Sequence, residues 1–449
     1  MADHALSHLR PEDAQRRASL VELREKAAAE KQRASQVTQT SYLLGKLPVE
    51  TLVQIFTVLI DEDHTWAVKL SHVCGHWRLI LINTPSAWQT LVLSKRHPFR
   101  KAKLWKQRAK NRIARISVSM PSLDRASVFA QLQDLDFSSL RISGEAFVEL
   151  HRILSDVSLL HKFSMLDELI LFDYACRDHL SGPNWNLKTL HLIGSISMVD
   201  EWWKRIQQLK ELCLDGAVAG FSDVVFTANP SLEKLVLNGR GTWQVDELNI
   251  VTPISMDNLK HIECRGLAEH SYILCAISAP SITHFIIDGL VMPDDALRIA
   301  GRPSLVELRI THCITSPFAL STLLSSTPNL ETLQVNSVLS HVNEMFQFLT
   351  PKTVDSLHPL PCRALKHVDV SRCPDLTTSS AYAFVKTRVQ YASEFVESAE
   401  RCAVVVSLKM DGCPHIEPDM LPWFRSKVAQ FSCIYATKKD FKKNWGRVL

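Results

Sequence analysis

The sequence predicts an α/β solenoid preceded by a small all-α helical unit. Two observations lead to this fold class. Residues 46–91 carry two apolar stripes at helical spacing, and the chain that follows repeats one short apolar pattern thirteen times. Of the 449 residues, 46% are hydrophobic and 22% are charged, which is the balance of an ordinary globular protein.

The helical unit begins at Leu47-Pro48, where proline fits the start of a helix because its missing N–H would be unpaired there. Two stripes follow, and Pro85 ends the second. The first is Leu52, Ile55, Phe56 and Leu59; the second is Trp66, Leu70, Val73, Cys74, Trp77 and Leu81. So short a unit cannot bury both stripes against each other, so we expect one apolar helix face to dock onto another protein.

These residues resemble the F-box. The pattern LPxExLxxIFxxL, then LSHVCGHWR, then a proline and Trp88 covers nearly the whole motif, although Gly75-His76 stands where a basic residue is common. The family binds the Skp-type adaptor of a cullin-based ubiquitin ligase, and the resemblance implies that role here. The expected adaptor-binding residues are Leu47, Pro48, Leu52, Ile55, Phe56, Leu59, Val73, Cys74, Trp77 and Leu81. The alternative is an ordinary helical hairpin inside a larger core.

The repeated pattern is apolar-x-x-apolar-x-apolar, and most of its starts lie 21–29 residues apart. This spacing matches the leucine-rich repeat, in which each hexamer is a short parallel strand and the chain returns through a helix or turn. The starts are Trp88, Ile113, Phe137, Leu166, Leu187, Leu209, Leu232, Leu259, Ile282, Leu305, Leu330, Leu365 and Val405. A doubly wound α/β domain is the alternative, but its strands would be near-continuous apolar runs.

Three later repeats carry cysteine eight residues after their start, at Cys313, Cys373 and Cys413. They resemble the cysteine-containing class of repeats in F-box/leucine-rich-repeat proteins. The charged helix predicted within residues 11–36 resembles those that precede the F-box in mushroom-type fungal members, which points to a fungal source. We expect domains at 1–45 (charged leader), 46–92 (F-box), 93–435 (leucine-rich-repeat horseshoe) and 436–449 (basic tail).

Alternate residues of each strand face away from the core of such an array, where partners usually bind. This face mixes both signs of charge with apolar residues, which suits a protein better than a polyanion. The expected target-binding residues are Glu211, Val236, His261, Glu263, His284, Ile286 and Arg309. A merely solvated face is the alternative.

The net charge of +4 conceals a local asymmetry, since residues 95–115 hold ten Lys/Arg and no acid. We interpret this stretch as a solvated helix whose Leu104 and Trp105 turn inward; the alternative is a nucleic-acid site. The chain shows no secretory signal, no apolar run long enough to span a membrane, and eleven cysteines without a CxxC pair. We expect a cytoplasmic or nuclear protein.

No catalytic motif is present: phosphate-binding loops, HExxH and GxSxG are all missing. We expect no enzyme activity, no cofactor and no metal, the His72/His76 pair being a solvated helix face. The expected function is a substrate receptor, monomeric within a Skp–cullin–F-box ubiquitin ligase and serving ubiquitin-dependent protein degradation. The alternatives are a non-degradative scaffold and, with less support, a nucleic-acid-binding solenoid that uses residues 95–115.

Overall fold

The structure is a computed structural model, and it describes most of the chain from Leu47 to Tyr435. The described residues are 25, 26, 28, 47–94, 97–119, 137–143, 166–172, 185–197, 200–221, 223–239, 244–245, 253–266, 272–275, 277–289, 301–313, 316–338, 340–350, 360–394 and 402–435. Most of the predicted leader, Lys95-Arg96 and the whole predicted basic tail lie outside them. The chain divides into two compact units, one up to Gln89 with Gln107–Lys110, the other Thr90–Lys106 with Asn111 onward.

From Leu47 onward, the described part of the first unit contains the helices α1 (Val49–Glu62), α2 (Trp66–Ser71) and α3 (Gly75–Ile82), and a 3₁₀ turn at Pro85–Trp88. Its core is the apolar side of these helices. The indole N–H of Trp88 is buried there and donates to the Leu81 carbonyl at 2.8 Å. The other core side chains are Leu52, Phe56, Ile60, Ala67, Leu70, Ile80 and Leu81.

The second sequence stripe, from Trp66 to Leu81, is divided between two helices, α2 and α3. The chain leaves helical geometry between Ser71 and Gly75, where Cys74 is extended (φ −155°, ψ 168°). The Cys74 sulfur accepts the Trp77 N–H at 3.4 Å and so caps the start of α3.

The second unit is built on one large sheet of parallel strands. Each of the thirteen predicted hexamers contains a strand that begins two residues after the hexamer start. These strands are β1 (Thr90–Ser94), β2 (Arg115–Ser119), β3 (Ser139–Ser143), β4 (Glu168–Phe172), β5 (Thr189–Ser197), β6 (Glu211–Phe221), β7 (Lys234–Asn238), β10 (His261–Arg265), β12 (His284–Asp288), β13 (Glu307–Thr311), β14 (Thr332–Asn336), β15 (His367–Asp369) and β16 (Ser407–Lys409).

The described residues contain four further strands, which were not predicted from the sequence. A fourteenth strand, β17 (Gln430–Ser432), extends the sheet beyond β16. The short β8 (Gln244–Val245) pairs with β6, and β9 (Ile254–Ser255) pairs with β11 (Ile277–Ser278). Along the main path neighbouring strands follow chain order without reversal, whereas a doubly wound sheet reverses its order at a switch point.

Helices occupy many of the connections between strands. They are α4 (Pro98–Arg108), α5 (Asp200–Arg205), α6 (Val224–Ala228), α7 (Tyr272–Cys275), α8 (Pro317–Ser325), α9 (Val342–Phe348), α10 (Thr378–Glu394) and α11 (Leu421–Lys427). The repeat predicts a return through a helix or turn, and α5 and α8 are returns of this kind. The longest described helix, α10, lies in the long connection between β15 and β16.

The sheet is held by a hydrogen-bond pattern that recurs from strand to strand. Just before most strands of the main path, one carbonyl accepts two successive N–H groups of the next repeat; Lys260 O, for example, accepts from Thr283 and His284 at 2.8 and 2.9 Å. Just after the later strands, a residue with positive φ donates its N–H to the next repeat, as Gly266 does to Asp288 O at 2.8 Å. In the main-path strands of five or more residues, the second and fourth residues are apolar and buried, as the alternation predicts.

Candidate functional site

The helical unit exposes several large apolar side chains. Val58 and Leu79 are each 61% exposed and Val73 is 60% exposed, and Val49, Ile55 and Ile82 are also exposed. Exposed apolar side chains of this size in so small a unit are typical of a protein-binding surface.

Three of the ten predicted adaptor-binding residues are not on this surface. Leu52, Phe56 and Leu81 are 1–2% exposed, because they form the internal core of the unit, where the Phe56 ring packs 4.8 Å from that of Trp77. A buried side chain cannot itself contact an adaptor, so these residues hold the helices in place. Their assignment as contact residues needs this correction.

The other seven predicted residues have at least part of their surface accessible. Pro48, Ile55, Val73 and Cys74 are exposed, and Leu47, Leu59 and Trp77 are half-buried. The exposed Cys74 also caps the start of α3 through its sulfur. Adaptor binding by these residues stays a prediction.

Sequence reasoning missed Val49, Val58, Leu79 and Ile82. On α1, Val58 lies three residues after Ile55, and on α3, Ile82 lies three residues after Leu79, so each pair shares one side of its helix. This second apolar spacing is visible in the sequence. The first stripe drew attention because it is longer, but its Leu52 and Phe56 fill the core and only Ile55 is well exposed.

Asp63 fixes the turn between α1 and α2. Its carboxylate accepts the Thr65 hydroxyl at 2.6 Å and the Thr65 backbone N–H at 2.9 Å, with Lys69 at 3.4 Å. These hydrogen bonds, led by that of the Thr65 hydroxyl, lower the pKa of Asp63 to about 2. Asp63, the last residue of the acidic run Asp61-Glu62-Asp63, therefore supplies a structural turn.

In the second unit, the less buried residues of the strands form what we call the open face. The register aligns them in rows, so that Glu211, Lys234, His261, His284 and Glu307 are neighbours in one row. Cys213, Val236, Glu263, Ile286 and Arg309 are neighbours in the next. All seven predicted target-binding residues therefore lie on one face, within β6 to β13.

Charged residues on the open face are largely paired with one another. The Lys234 ammonium lies 2.6 Å from Glu211, and Arg265 lies 2.6 Å from Glu263; Arg309 pairs with Glu307. Burial alone would raise the pKa of Glu211, but Lys234 and His191 outweigh it and lower the pKa. This pairing leaves the face with little net charge to attract a polyanion.

Two histidines stand side by side in the first row. The ring centroids of His261 and His284 are 5.7 Å apart, and each ring is near a carboxylate, Glu263 at 3.6 Å from His261 and Glu307 at 3.6 Å from His284. Burial lowers the pKa of His261, although Glu263 opposes the shift. An apolar strip of Cys213, Val236 and Ile286 lies beside them, with Cys213 and Ile286 half-buried. Val236 is only 7% exposed, so its assignment as a target-contact residue needs correction, because a buried side chain offers little surface to a partner.

The basic segment forms α4, as its interpretation as a helix requires. Trp105 is buried and donates its indole N–H to Thr90 O at 3.1 Å, but Leu104 is 38% exposed, so the prediction that both turn inward is wrong for Leu104. Ala102 and Trp105 are three residues apart, so they lie on the same side of α4, and that side is buried. Leu104 is not on that side. Burial lowers the pKa of Lys101, whose ammonium lies 5.0 Å from the Trp105 ring centroid.

Among the residues that the structure describes, no three His, Cys, Asp or Glu side chains are grouped so that they could hold a metal ion. The described helices include none with the length and apolar character needed to cross a bilayer.

Comparison with known protein families gives a match over the helical unit. Residues 44–94 match the family model described as F-box-like. No curated protein matches the chain. An F-box-like domain at this position supports an F-box protein, and F-box domains typically bind Skp-type adaptors.

Proposed function

We propose that this chain is the substrate-recognition subunit of a Skp–cullin–F-box ubiquitin ligase. The observation that carries the proposal is the F-box-like match at residues 44–94, together with the exposed apolar side chains of that unit. Ile55 and Val73 lie among the contacts with the adaptor, and the adaptor links the chain to a cullin. The chain itself is not catalytic, and it acts in the cytoplasm or nucleus, as a monomer within the complex.

The second unit is, in this proposal, a leucine-rich-repeat array. Three features support it: main-path strands in chain order, the carbonyl that accepts two N–H groups before most of those strands, and buried cysteines after the later strands. The thiols of Cys373 and Cys413 donate to carbonyls of the preceding repeat, Val335 O at 3.0 Å and Val370 O at 3.1 Å. Such units bury their apolar faces only against their neighbours.

The open face of this array binds the protein target. Its paired charges fix orientation, and its apolar strip supplies area that water leaves on binding. The receptor then contributes proximity, since a bound target reacts with the ubiquitin-carrying partner as if at high local concentration.

A pull-down of the purified chain with a Skp-type adaptor tests the proposal. In the variant Ile55→Asp/Val73→Asp, two charges replace exposed apolar side chains, and we expect adaptor binding to fall by at least about tenfold. The matched control Gln54→Asp/His76→Asp places the same charges on exposed polar positions of the unit and should bind normally.

Absence of binding by the unaltered chain would contradict the proposal. Adaptor binding without stabilisation of any cellular protein when the chain is removed would instead favour a non-degradative scaffold. Binding to nucleic acid that falls steeply with salt would favour the third function class.

A further inference from the structure

Two arginines of the helical unit lie near each other without an acidic partner. Arg78 is exposed on α3, and Arg108 is half-buried at the end of α4, in the segment Gln107–Lys110 that belongs to the same compact unit. Within the described part of the chain neither forms an ion pair, whereas Lys69 of this unit pairs with Asp63 at 3.4 Å. We call Arg78 and Arg108 the arginine pair.

Both guanidinium groups are held in place by the unit itself. The Nε of Arg78 donates to Ser71 O at 2.9 Å, across the break between α2 and α3. The guanidinium of Arg108 lies over the buried Trp88 ring, 4.2 Å from its centroid. The Trp88 indole in turn donates to Leu81 O, three residues after Arg78 on α3. These contacts fix both cationic groups beside α3, so little side-chain freedom is left to be lost when a ligand binds.

The two members of the arginine pair repel each other. Burial lowers the pKa of Arg108, and the positive charge of Arg78 lowers it further, with no carboxylate acting in the opposite direction. Stacking on the Trp88 ring offsets part of the water that the Arg108 guanidinium loses. Two like charges fixed near each other without a counter-ion favour the binding of an anion, because an anion relieves their repulsion.

The other charged residues of the unit leave this positive excess in place. Asp63 is paired with Lys69, and the exposed Lys110 adds a cation two residues after Arg108. No described acidic residue of the unit forms an ion pair with Arg78 or Arg108; these acids are Glu25, Glu50, Asp61, Glu62 and Asp63.

Exposed apolar side chains flank the arginine pair. Leu79 follows Arg78 on α3, and Val73 lies two residues after Ser71, whose carbonyl Arg78 contacts; both apolar side chains are exposed. Arginine beside exposed apolar side chains is typical of protein–protein interfaces, where arginine is enriched and lysine is depleted. Interfaces with nucleic acid are more polar, so a phosphate backbone would leave Leu79 and Val73 uncovered. The anion is therefore expected on a protein.

We propose that the arginine pair binds a carboxylate, from an aspartate or glutamate of the docked adaptor, at the edge of the exposed apolar surface. Within the described part of the chain Arg78 donates only through Nε, so its terminal nitrogens are directed to the carboxylate. Arg108 supplies the second cation. The inference rests on the proposed docking of the adaptor, and it adds a chemical requirement that an adaptor must meet, namely an acidic side chain opposite α3.

The test is the Kd of the purified full chain for a Skp-type adaptor, measured by biolayer interferometry at low and high salt. For Arg78→Gln/Arg108→Gln we expect the Kd to rise at least about tenfold at low salt, and the difference from the unaltered chain to narrow as salt is added. Arg78→Gln alone leaves the contact between Arg108 and Trp88 intact, so it should preserve the fold. It should still raise the Kd by at least about threefold.

The matched control is Arg100→Gln/Arg112→Gln, which removes two charges at exposed positions of the other compact unit and should leave the Kd unchanged. Equal binding by the unaltered chain and both Arg78 variants would overturn the inference and leave adaptor docking intact. An equal loss in the control would also overturn it, because the effect would then be one of net charge.

No adaptor binding by the unaltered chain would overturn the inference together with the proposed function. A DNA duplex that displaces the adaptor from the unaltered chain, and that Arg78→Gln/Arg108→Gln does not bind, would assign the arginine pair to nucleic acid and overturn the inference as well.

Discussion

At the scale of single residues, neighbouring apolar positions of α1 have opposite roles. Phe56 is 2% exposed and packs on Trp77, whereas Val58 is 61% exposed. We predict that Phe56→Ala lowers the free energy of unfolding of the helical unit by about 3–5 kcal/mol, because it leaves a cavity in a small core. Val58→Ala should change it by no more than about 0.5 kcal/mol.

Thermal unfolding of both variants, followed by circular dichroism, checks this difference. Equal stability of the two variants would mean that the division into core and surface is wrong. Leu52→Asp/Phe56→Asp, which the sequence stripe singles out for an adaptor-binding test, is expected to unfold the unit and so cannot report on docking.

At Gly216 the structure leaves no room for a side chain. It has φ +142°, and a Cβ atom there would lie 2.0 Å from the Gly194 carbonyl oxygen of the paired strand. We predict that Gly216→Ala costs at least about 2 kcal/mol, since neither backbone can move aside without breaking the pairing of β5 and β6. Urea denaturation measures the change.

Gly75→Ala is the control, because a Cβ at Gly75 meets no atom within 4 Å. It should be neutral. A Gly216→Ala protein with an unchanged urea midpoint would contradict the close approach of the two strands.

His261 predicts a pH dependence of stability. Its folded pKa lies below the ordinary value of 6.5, so the unfolded chain binds a proton where the folded chain resists it. The contribution of neutral His261 to the free energy of unfolding is thus fully present above pH 6.5 and is lost as the pH falls below that value. The groups that face it are Glu263, His284 and Lys234.

We predict that His261→Gln reduces the loss of stability between about pH 7.5 and pH 5.5. The readout is the urea midpoint at each pH. His367→Gln, an exposed position in the same row of the open face, is the control. A steeper loss in His261→Gln than in the unaltered chain would show that the sign is wrong.

At the scale of elements, the later strands share a left-handed residue directly after the strand or its turn. Gly266, Gly289 and Gly412 have positive φ, as do the non-glycine residues His312, Ser337 and Arg372. This conformation costs a non-glycine residue about 1 kcal/mol relative to glycine. We predict that Arg372→Gly, at φ +61°, stabilises the sheet unit by about 0.5–1 kcal/mol.

The opposite result is expected at an extended position nearby. Lys409→Gly, in the exposed part of β16, should lower stability by a similar amount. Chemical denaturation of both variants checks the pair. A loss of stability in Arg372→Gly would mean that its side chain makes contacts worth more than the strain.

The strands could be predicted because the alternation of apolar residues is a local pattern, and the sheet buries the same residues that the pattern indicates. Strand β17 follows the same rule, with Val428 buried two residues before it, and was missed because a single hexamer has little weight. The continuation of β5 and β6 past Gly194 and Gly216 was not predictable, since it depends on the two glycines meeting across strands.

At the scale of the whole molecule, the sequence could locate the two candidate surfaces but not all their residues. The open-face residues were found because strand register follows from the repeat. The surface residues of the helical unit were harder to predict from the sequence. The packing of α1, α2 and α3 decides which of the two apolar spacings faces inward. The helix break at Cys74 shows the same dependence on context, since a thiol is seldom a cap.

The central claim is that the helical unit docks onto a Skp-type adaptor. Hydrogen–deuterium exchange of the full chain, with and without purified adaptor, tests it most directly, because it reports which segments become protected. The account predicts slower exchange in peptides covering residues 47–82, with no change at β6 to β13 of the open face. Protection confined to the sheet unit, or no protection at saturating adaptor, would contradict it.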